Sequence, residues 1–345
     1  MMRLARRLTA LALTLLLLTV NVGAAGQKSP FSDVPASHWA AESIGRCAQY
    51  GLMQGIGGGK FGLGESMTRA AYAMTLCRLM GWKSAQPEKG SFEDNQDPTA
   101  WYYSAIETAY ANGALTGESR RCRPNDAITR EEMAKMTVRA LGFSVLAGAA
   151  EKDCPFADVS VARGYIALAY HMGILRGVSR YSFDPKSTAT REQAAAVLLR
   201  TYDRLHAAVS VTEAADGDGV RAESITDTSG SVPVSPRAPM ESVYAAAVQA
   251  GESGSVTLCA VPLMQITRGG EVVESRSLTA AELDALTAEG TMRAHHSAQH
   301  ASSCLYRTEK GGSVTVVWYE SEADLAEKTE LCRLMGIAKV YLERT

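Results

Sequence analysis

The stretch Ile128-Thr129-Arg130-Glu131-Glu132 is the middle one of three copies of a helix start. A Thr followed three residues later by Glu or Gln is a capping box, in which the two side chains satisfy each other's backbone N–H groups. The pair recurs as Thr68-Arg69 and Thr190-Arg191, so the threonines at 68, 129 and 190 lie 61 residues apart. Thr190 has Gln193 as its partner, whereas Thr68 has Ala71 and lacks one. Upstream of each pair stands a Gly-x-x-x-Gly turn: Gly51/Gly55, Gly113/Gly117 and Gly173/Gly177. Further upstream each copy opens on Phe-x-Asp: Phe31/Asp33, Phe92/Asp94 and Phe156/Asp158. A fixed period over three units is the signature of a repeat architecture, in which each unit needs its neighbours to bury its apolar face.

Periodicity places two helices in each repeat. Ala194, Val197, Leu198, Tyr202 and Leu205 recur at three-to-four spacing in the third, and Trp39, Ile44, Cys47 and Ala48 do so in the first. The glycines stop the first helix, because Gly adopts the left-handed conformation of a helix C-terminus without strain. The expected units are helix-loop-helix repeats at 30–83, 91–144 and 155–206.

Capping explains the threonines and leaves the arginines unexplained. A cation in the first helical turn is disfavoured by the helix dipole, yet Arg69, Arg130 and Arg191 stand there in every repeat. A guanidinium binds a carboxylate through two parallel hydrogen bonds, and a helix N-terminus adds N–H donors. The three arginines are therefore candidate contacts to an acidic ligand. Ion pairs with Asp33, Asp94 or Asp158 are the structural alternative, and these aspartates are carried beside them as candidate binding residues. Trp39 and Trp101 can stack on sugar faces or pack in the core. Repeat 3 has Gly164-Tyr165 in that region, which makes its groove different.

The pattern resembles the S-layer homology module, a bacterial cell-surface anchor. The residues that carry the resemblance are Phe31-Ser32-Asp33-Val34-Pro35 and His38-Trp39-Ala40 in repeat 1, Trp101 and Ile128-Thr129-Arg130-Glu131-Glu132 in repeat 2, and Phe183-Asp184-Pro185 with Thr190-Arg191-Glu192 in repeat 3. It covers about residues 30–205. It implies a mainly α bundle of three repeats around a pseudo-threefold axis. It also implies a partner: a secondary cell wall polysaccharide, attached to peptidoglycan, whose terminal sugar carries a pyruvate ketal.

Residues 1–25 read as a secretory signal. Arg3, Arg6 and Arg7 precede an apolar run over 8–22, and Val22-Gly23-Ala24-Ala25 offers small residues for cleavage. The run is shorter than the roughly 20 residues of a spanning helix, so cleavage and export to the wall are expected, with no membrane contact afterwards. Formal net charge is −2, which gives no reason to expect a nucleic-acid partner. Seven cysteines in an exported chain invite disulfides. The repeat register argues otherwise: Cys47, Cys77 and Cys122 stand where the sister repeats have Ala109/Ala169, Val138/Leu199 and Phe61/Phe183. A buried free cysteine behaves as a small hydrophobe. No CxxC pair, metal-type cysteine spacing or cofactor motif is present. His295, His296 and His300 look like a metal cluster, but the serines around them make a helical i,i+4 site doubtful.

Residues 207–239 are rich in Ala, Ser, Thr, Asp, Gly and Pro and read as a linker. Asp216-Gly217-Asp218-Gly219 lacks the spacing and terminal Glu of an EF-hand. Residues 240–345 read as a small α/β unit, with β-rich runs at 255–263 and 314–318, helical periodicity at 278–287 and 323–335, and a final strand at 338–342. This segment resembles the C-terminal part of a family 18 glycoside hydrolase barrel. The residues are the run 255–263, Gly269-Gly270-Glu271-Val272, Val316-Val317-Trp318-Tyr319-Glu320, and the helix over 324–335 with Gly336-Ile337. That family's Asp-x-x-Asp-x-Asp-x-Glu signature is absent: residues 240–345 hold only Asp284 and Asp324, and neither lies in such a pattern. The final strand also lacks the tryptophan that lines the sugar site. The expectation is a wall-anchored surface protein, not an enzyme, with no catalytic residues and a displayed C-terminal unit. The alternatives are a wall-anchored family 18-like hydrolase acting on wall or chitin-like glycan, and a lattice subunit.

Overall fold

The computed structural model describes residues 29–117, 120–213, 231–234, 238–297, 301–309 and 311–344. The stretch read as a secretory signal, the Asp-Gly pairs at 216–219 and His300 lie outside these residues. No helix among them is long and apolar enough to cross a membrane.

Residues 30–205 form three helix pairs: α1 (Ala41–Gln49) and α2 (Arg69–Leu79), α3 (Tyr103–Ala111) and α4 (Arg130–Leu141), α6 (Arg163–His171) and α7 (Arg191–Leu205). A short α5 (Ala147–Ala150), flanked by 3₁₀ turns, joins the second pair to the third. The caps follow the sequence. Thr68 Oγ1 accepts from Ala71 N–H at 3.1 Å, Thr129 and Glu132 form a full capping box, and Thr190 N–H donates to Gln193 Oε1 at 3.1 Å. Gly51, Gly113 and Gly173 follow α1, α3 and α6 with φ of 69°, 76° and 69°. The second glycine of each turn has a packing reason. A Cβ on Gly55 would come within 2.8 Å of the Phe31 ring, and one on Gly117 within 2.5 Å of Phe92; Gly177 lies against Phe156 in the same way. The Phe and the Gly of each motif are thus two sides of one contact.

The pairs interlock in a ring. Met67 N–H donates to Ala189 O (2.9 Å), Ala189 N–H to Ile128 O (2.9 Å), and Ile128 N–H to Met67 O (2.8 Å), so each repeat is bonded to both others immediately before its second helix. α3 packs on α2, α6 on α4 and α1 on α7. The contact of the first repeat with the third is fixed by Arg46 Nη2 to Asp203 Oδ1 at 2.7 Å and by Tyr50 stacked on Tyr202 at 4.3 Å. Trp39 is a departure from expectation. α1 begins two residues after it, so its ring leaves the apolar stripe that Ile44 and Cys47 form. All seven cysteines are free; Cys47 and Cys122 are buried and Cys77 half-buried, as their apolar sister positions require.

The C-terminal unit holds two sheets. A parallel one has the strand order β1-β9-β3-β2, from β1 (Ser210–Glu213), β2 (Ser231–Val234), β3 (Ser255–Cys259) and β9 (Lys339–Glu343). An antiparallel one runs β5-β4-β8-β7-β6, from β4 (Leu263–Arg268), β5 (Glu271–Ser277), β6 (Arg293–Ser297), β7 (Ser302–Thr308) and β8 (Val314–Tyr319). Helices α8 (Met240–Ala250), α9 (Ala280–Glu289) and α10 (Glu322–Leu334) complete it. The α/β expectation holds in outline, but the linker expected over 207–239 contains two strands. Ser210–Glu213 pairs with β9 and Ser231–Val234 with β3, so long-range backbone bonding overrides a polar composition. Nor does the unit hang free. Arg204 of α7 pairs with Glu252, and Arg333 of α10 donates to Leu205 O. One continuous apolar core runs from Val34 in repeat 1 to Leu342 in β9.

Replacing Gly117 by Ala should cost about 1–3 kcal/mol, the usual price of overpacking a filled contact. Chemical denaturation of the full chain measures this; an unchanged midpoint would mean that the Phe92 contact is slack.

Candidate functional site

The repeated arginines and aspartates meet at one residue per repeat. Asp33 accepts from Phe61 N–H (2.7 Å) and Gly62 N–H (2.8 Å), while Arg191 Nε donates to Phe61 O (2.9 Å). Asp94 accepts from Cys122 N–H (2.9 Å), and Arg69 Nε donates to Cys122 O (2.8 Å). Asp158 accepts from Phe183 N–H (2.8 Å), and Arg130 Nε donates to Phe183 O (2.8 Å). The aspartate always comes from the same repeat and the arginine from another. This explains a cation at a helix N-terminus: its side chain reaches away from its own helix to a neighbour's carbonyl. Arg130 and Arg191 also lie over the rings of Phe183 and Phe61, at 4.6 and 4.9 Å. Cys122 offers no ring, and Arg69 is instead buried in an ion pair with Glu132 at 2.8 Å.

The aspartates thus accept mainly from backbone N–H groups, and the alternative of ion pairs with the arginines is not what the structure shows. Loss of water around each carboxylate opposes ionisation, but the hydrogen bonds outweigh it and lower the pKa of all three, Asp158 to about 2. Burial pulls Arg130 and Arg191 in the opposite sense for a base, below the usual guanidinium value.

Trp39 and Trp101 are 62% and 58% exposed, which removes the core-packing alternative. Trp101 lines a groove of about 270 Å³ together with Arg191, Gln54 and Arg78. Arg191 Nη2 is held there by Gln54 O at 2.7 Å. The groove draws on all three repeats: an arginine of the third, the loop and Arg78 of the first, and the tryptophan of the second. The equivalent residues around the repeat 2 loop are Arg69, Arg139 and Val161, with Tyr165 under Arg139 at 5.1 Å. Those around the repeat 3 loop are Arg130, Arg200 and Trp39, where Arg130 Nη2 donates to Arg176 O at 2.7 Å. Because the aromatic comes from the next repeat, the missing tryptophan of repeat 3 alters the second groove and not the third. Gly164 has its own reason, since α5 lies against it and leaves no room for a Cβ.

Arg78, Arg139 and Arg200 were not singled out from sequence, although each lies ten residues after its threonine and so repeats at the same 61-residue spacing. His295 and His296 do not converge on one point. His295 and His296 are neighbours on β6, whose successive side chains point to opposite faces, and His296 Nδ1 lies 3.2 Å from Asp324 Oδ1. No group of three metal-binding side chains occurs among the described residues.

The ring defines a three-repeat module with a basic, aromatic-edged cleft between its repeats. Residues 30–73, 96–134 and 155–195 match the S-layer homology domain, and the chain carries three such domains. Similar proteins include an amylopullulanase of Thermoanaerobacterium thermosulfurigenes, 33% identical over 50% of this chain and 10% of that protein. An S-layer protein of Bacillus thuringiensis subsp. finitimus is 29% identical over 56% of this chain and 24% of that protein. The chain thus spans a quarter or less of these relatives' length. With S-layer and cell-surface proteins among the relatives, these domains place the chain at the cell surface. Among solved structures, the spore cortex-lytic enzyme SleL of Bacillus megaterium QM B1551 aligns at 10% identity over 64% of this chain and 54% of that one, with a TM-score of 0.27. A score that low assigns neither a fold nor a chemistry to the C-terminal unit.

The aspartate clamps should show in the acid limb of stability. A carboxylate whose folded pKa is lowered contributes stability above its unfolded pKa of about 4, and that contribution is lost as pH falls through the folded value. Asp158→Asn should therefore destabilise the chain at pH 7 and reduce the loss of stability between pH 4 and about 2. Thermal melts across that range test it; parallel wild-type and variant curves would show that Asp158 is not an acid-sensitive clamp.

Proposed function

We propose that residues 30–205 anchor the chain non-covalently to the cell wall by binding an acidic secondary wall polysaccharide. The three repeats would present one groove each about a pseudo-threefold axis. The observation that carries this reading is the cleft in which Arg78 and Arg191 flank the exposed Trp101. Two guanidinium groups suit a carboxylate, and an indole face suits the C–H face of the sugar bearing it. The grooves differ in charge. In the second, Glu132 neutralises Arg69, and Val161 replaces the aromatic. In the third, Arg130, Arg176 and Arg200 make no ion pair among the described residues, and the charge of Arg176 adds to burial in lowering the Arg200 pKa. The third groove is thus the most basic and the second the least.

Arg69, Arg130 and Arg191 also tie the repeats together, so variants at 78, 139 and 200 separate binding from folding. Each charged hydrogen bond contributes about 1.5–3 kcal/mol, so Arg78→Ala, Arg139→Ala and Arg200→Ala together should weaken wall binding about tenfold or more. Co-sedimentation with purified walls, before and after stripping their secondary polysaccharide, is the measurement. Equal binding of wild type and variant, to stripped and unstripped walls alike, would overturn the ligand assignment.

We further propose that the C-terminal unit is non-catalytic. The acid of a glycoside hydrolase must reach the glycosidic oxygen. Glu320 has the position in sequence from which to test this. Its side chain is 1% exposed, and its Oε1 is held by Lys328 Nζ at 2.6 Å, itself 2% exposed. Burial pushes the carboxyl above its usual range against the pull of Lys328, but the pair lies behind Val234, Leu258 and Leu325 with no open cleft. Assay of the full chain on chitin oligomers and peptidoglycan should show no turnover. Turnover that disappears in Glu320→Gln would establish the hydrolase reading instead.

A further inference from the structure

A cleft of about 510 Å³ opens between repeat 3 and the C-terminal unit, walled by Tyr170, Arg176 and Ser179 on one side, Val248 and Glu252 on the other, with Arg204 between them. This volume lies within the range of small-molecule sites, about 300–1,000 Å³. The corresponding face of repeat 1 is also a hollow, yet there Ala48, Gln54 and Gly57 occupy the positions of Tyr170, Arg176 and Ser179, and no charged side chain lines it. Each exchange adds a group that sugars use: an aromatic face, a cation and a hydroxyl. Tyr170 stands edge-on to Phe156 at 5.3 Å and remains partly exposed, so its outer face is a platform. The far wall exists because the C-terminal unit is docked here. Arg204 reaches Glu252 through a gap that Gly173 and Gly336 leave open; a Cβ on Gly173 would meet its guanidinium at 2.7 Å.

Arg176 links the cleft to the helix-start arginine of α4. The carbonyl of Arg176 holds Arg130, and its side chain lines the cleft. We propose that this cleft is a second sugar subsite, which receives the residue next to the acidic sugar held in the third groove, so that the C-terminal unit extends the glycan site of repeat 3. The inference rests on the wall-polysaccharide reading above. The acidic sugar meets Arg130 and Arg200. Its neutral neighbour lies on Tyr170, with its hydroxyls donating to Glu252 and accepting from Arg176 and Ser179.

The probe is wall polysaccharide released and cleaved enzymatically at neutral pH and separated into monosaccharide and longer fragments, titrated calorimetrically into the full chain. Fragments of two or more sugars should bind about tenfold tighter than the acidic monosaccharide. Tyr170→Ala and the cleft-filling Val248→Trp should each abolish that gain and leave monosaccharide affinity within about twofold. Arg200→Ala should weaken both. Wild type without a gain in affinity for longer fragments, or a gain that survives both cleft variants while Arg200→Ala still weakens binding, overturns the subsite and leaves the anchoring reading standing. Fragments that bind equally well to wild type and to Arg200→Ala, or do not bind at all, overturn both readings. Tyr170→Ala removes a side chain and Val248→Trp adds one, so loss of the gain in both cannot come from one packing defect.

Discussion

One contact organises the repeat module: a single residue gripped from both ends of its peptide unit. Asp33 takes the N–H of Phe61 and Arg191 its carbonyl; Asp94 and Arg69 do so at Cys122, Asp158 and Arg130 at Phe183. Charged partners make these hydrogen bonds stronger than neutral ones. Because the acid is local and the base comes from another repeat, each grip closes a loop within a repeat and joins two repeats at once. The three grips, with the bonds among Met67, Ile128 and Ala189, leave no free end in the ring. A solenoid of the same units would have needed caps at both ends.

The same closure makes the grooves composite. Each takes its helix-start arginine from one repeat, its loop and second arginine from the next, and its aromatic position from the third. No repeat holds a groove by itself, so the contacts that close the ring also shape the grooves. Trp39 and Trp101 can stay exposed because the ring's stability does not depend on burying them. Exposed aromatics of this size beside guanidinium groups are what a sugar face and its carboxylate require.

Local features were legible in the sequence because each is fixed by neighbours a few residues away. The caps at Thr68, Thr129 and Thr190 and the turn glycines are of this kind, and so are the helix-loop-helix units. The candidate arginines and tryptophans could be named, but not how they combine. Arg191 meets Gln54 across 137 residues, a pairing that no periodicity reports. Arg78, Arg139 and Arg200 escaped for another reason: a basic residue in the last turn of a helix, as at Arg78 and Arg139, suits the dipole, and one in mid-helix, as at Arg200, asks for no explanation either. The structural part of the aspartates could not be read, because a carboxylate that accepts from backbone N–H groups looks the same in sequence as a free one. The strands Ser210–Glu213 and Ser231–Val234 were hidden by composition, since four residues paired to β9 and β3 need little apolar content of their own.

What distinguishes this chain from three equal repeats is where its asymmetry falls. Glu132, Cys122 and Val161 remove charge, ring stacking and aromatic from the second groove, while α5 is inserted just before α6. Arg176 and Tyr170 add charge and an aromatic face to repeat 3, on the side where Arg204 and Arg333 fasten the C-terminal unit. Within that unit Asp324 caps α10 through the Ser321 N–H, and Lys328 of the same helix is buried against Glu320. A buried pair of this kind adds little net stability but is costly to break, so it favours one packing over others. On the outside of the unit, α8 and the turn after it form one wall of the cleft beside repeat 3.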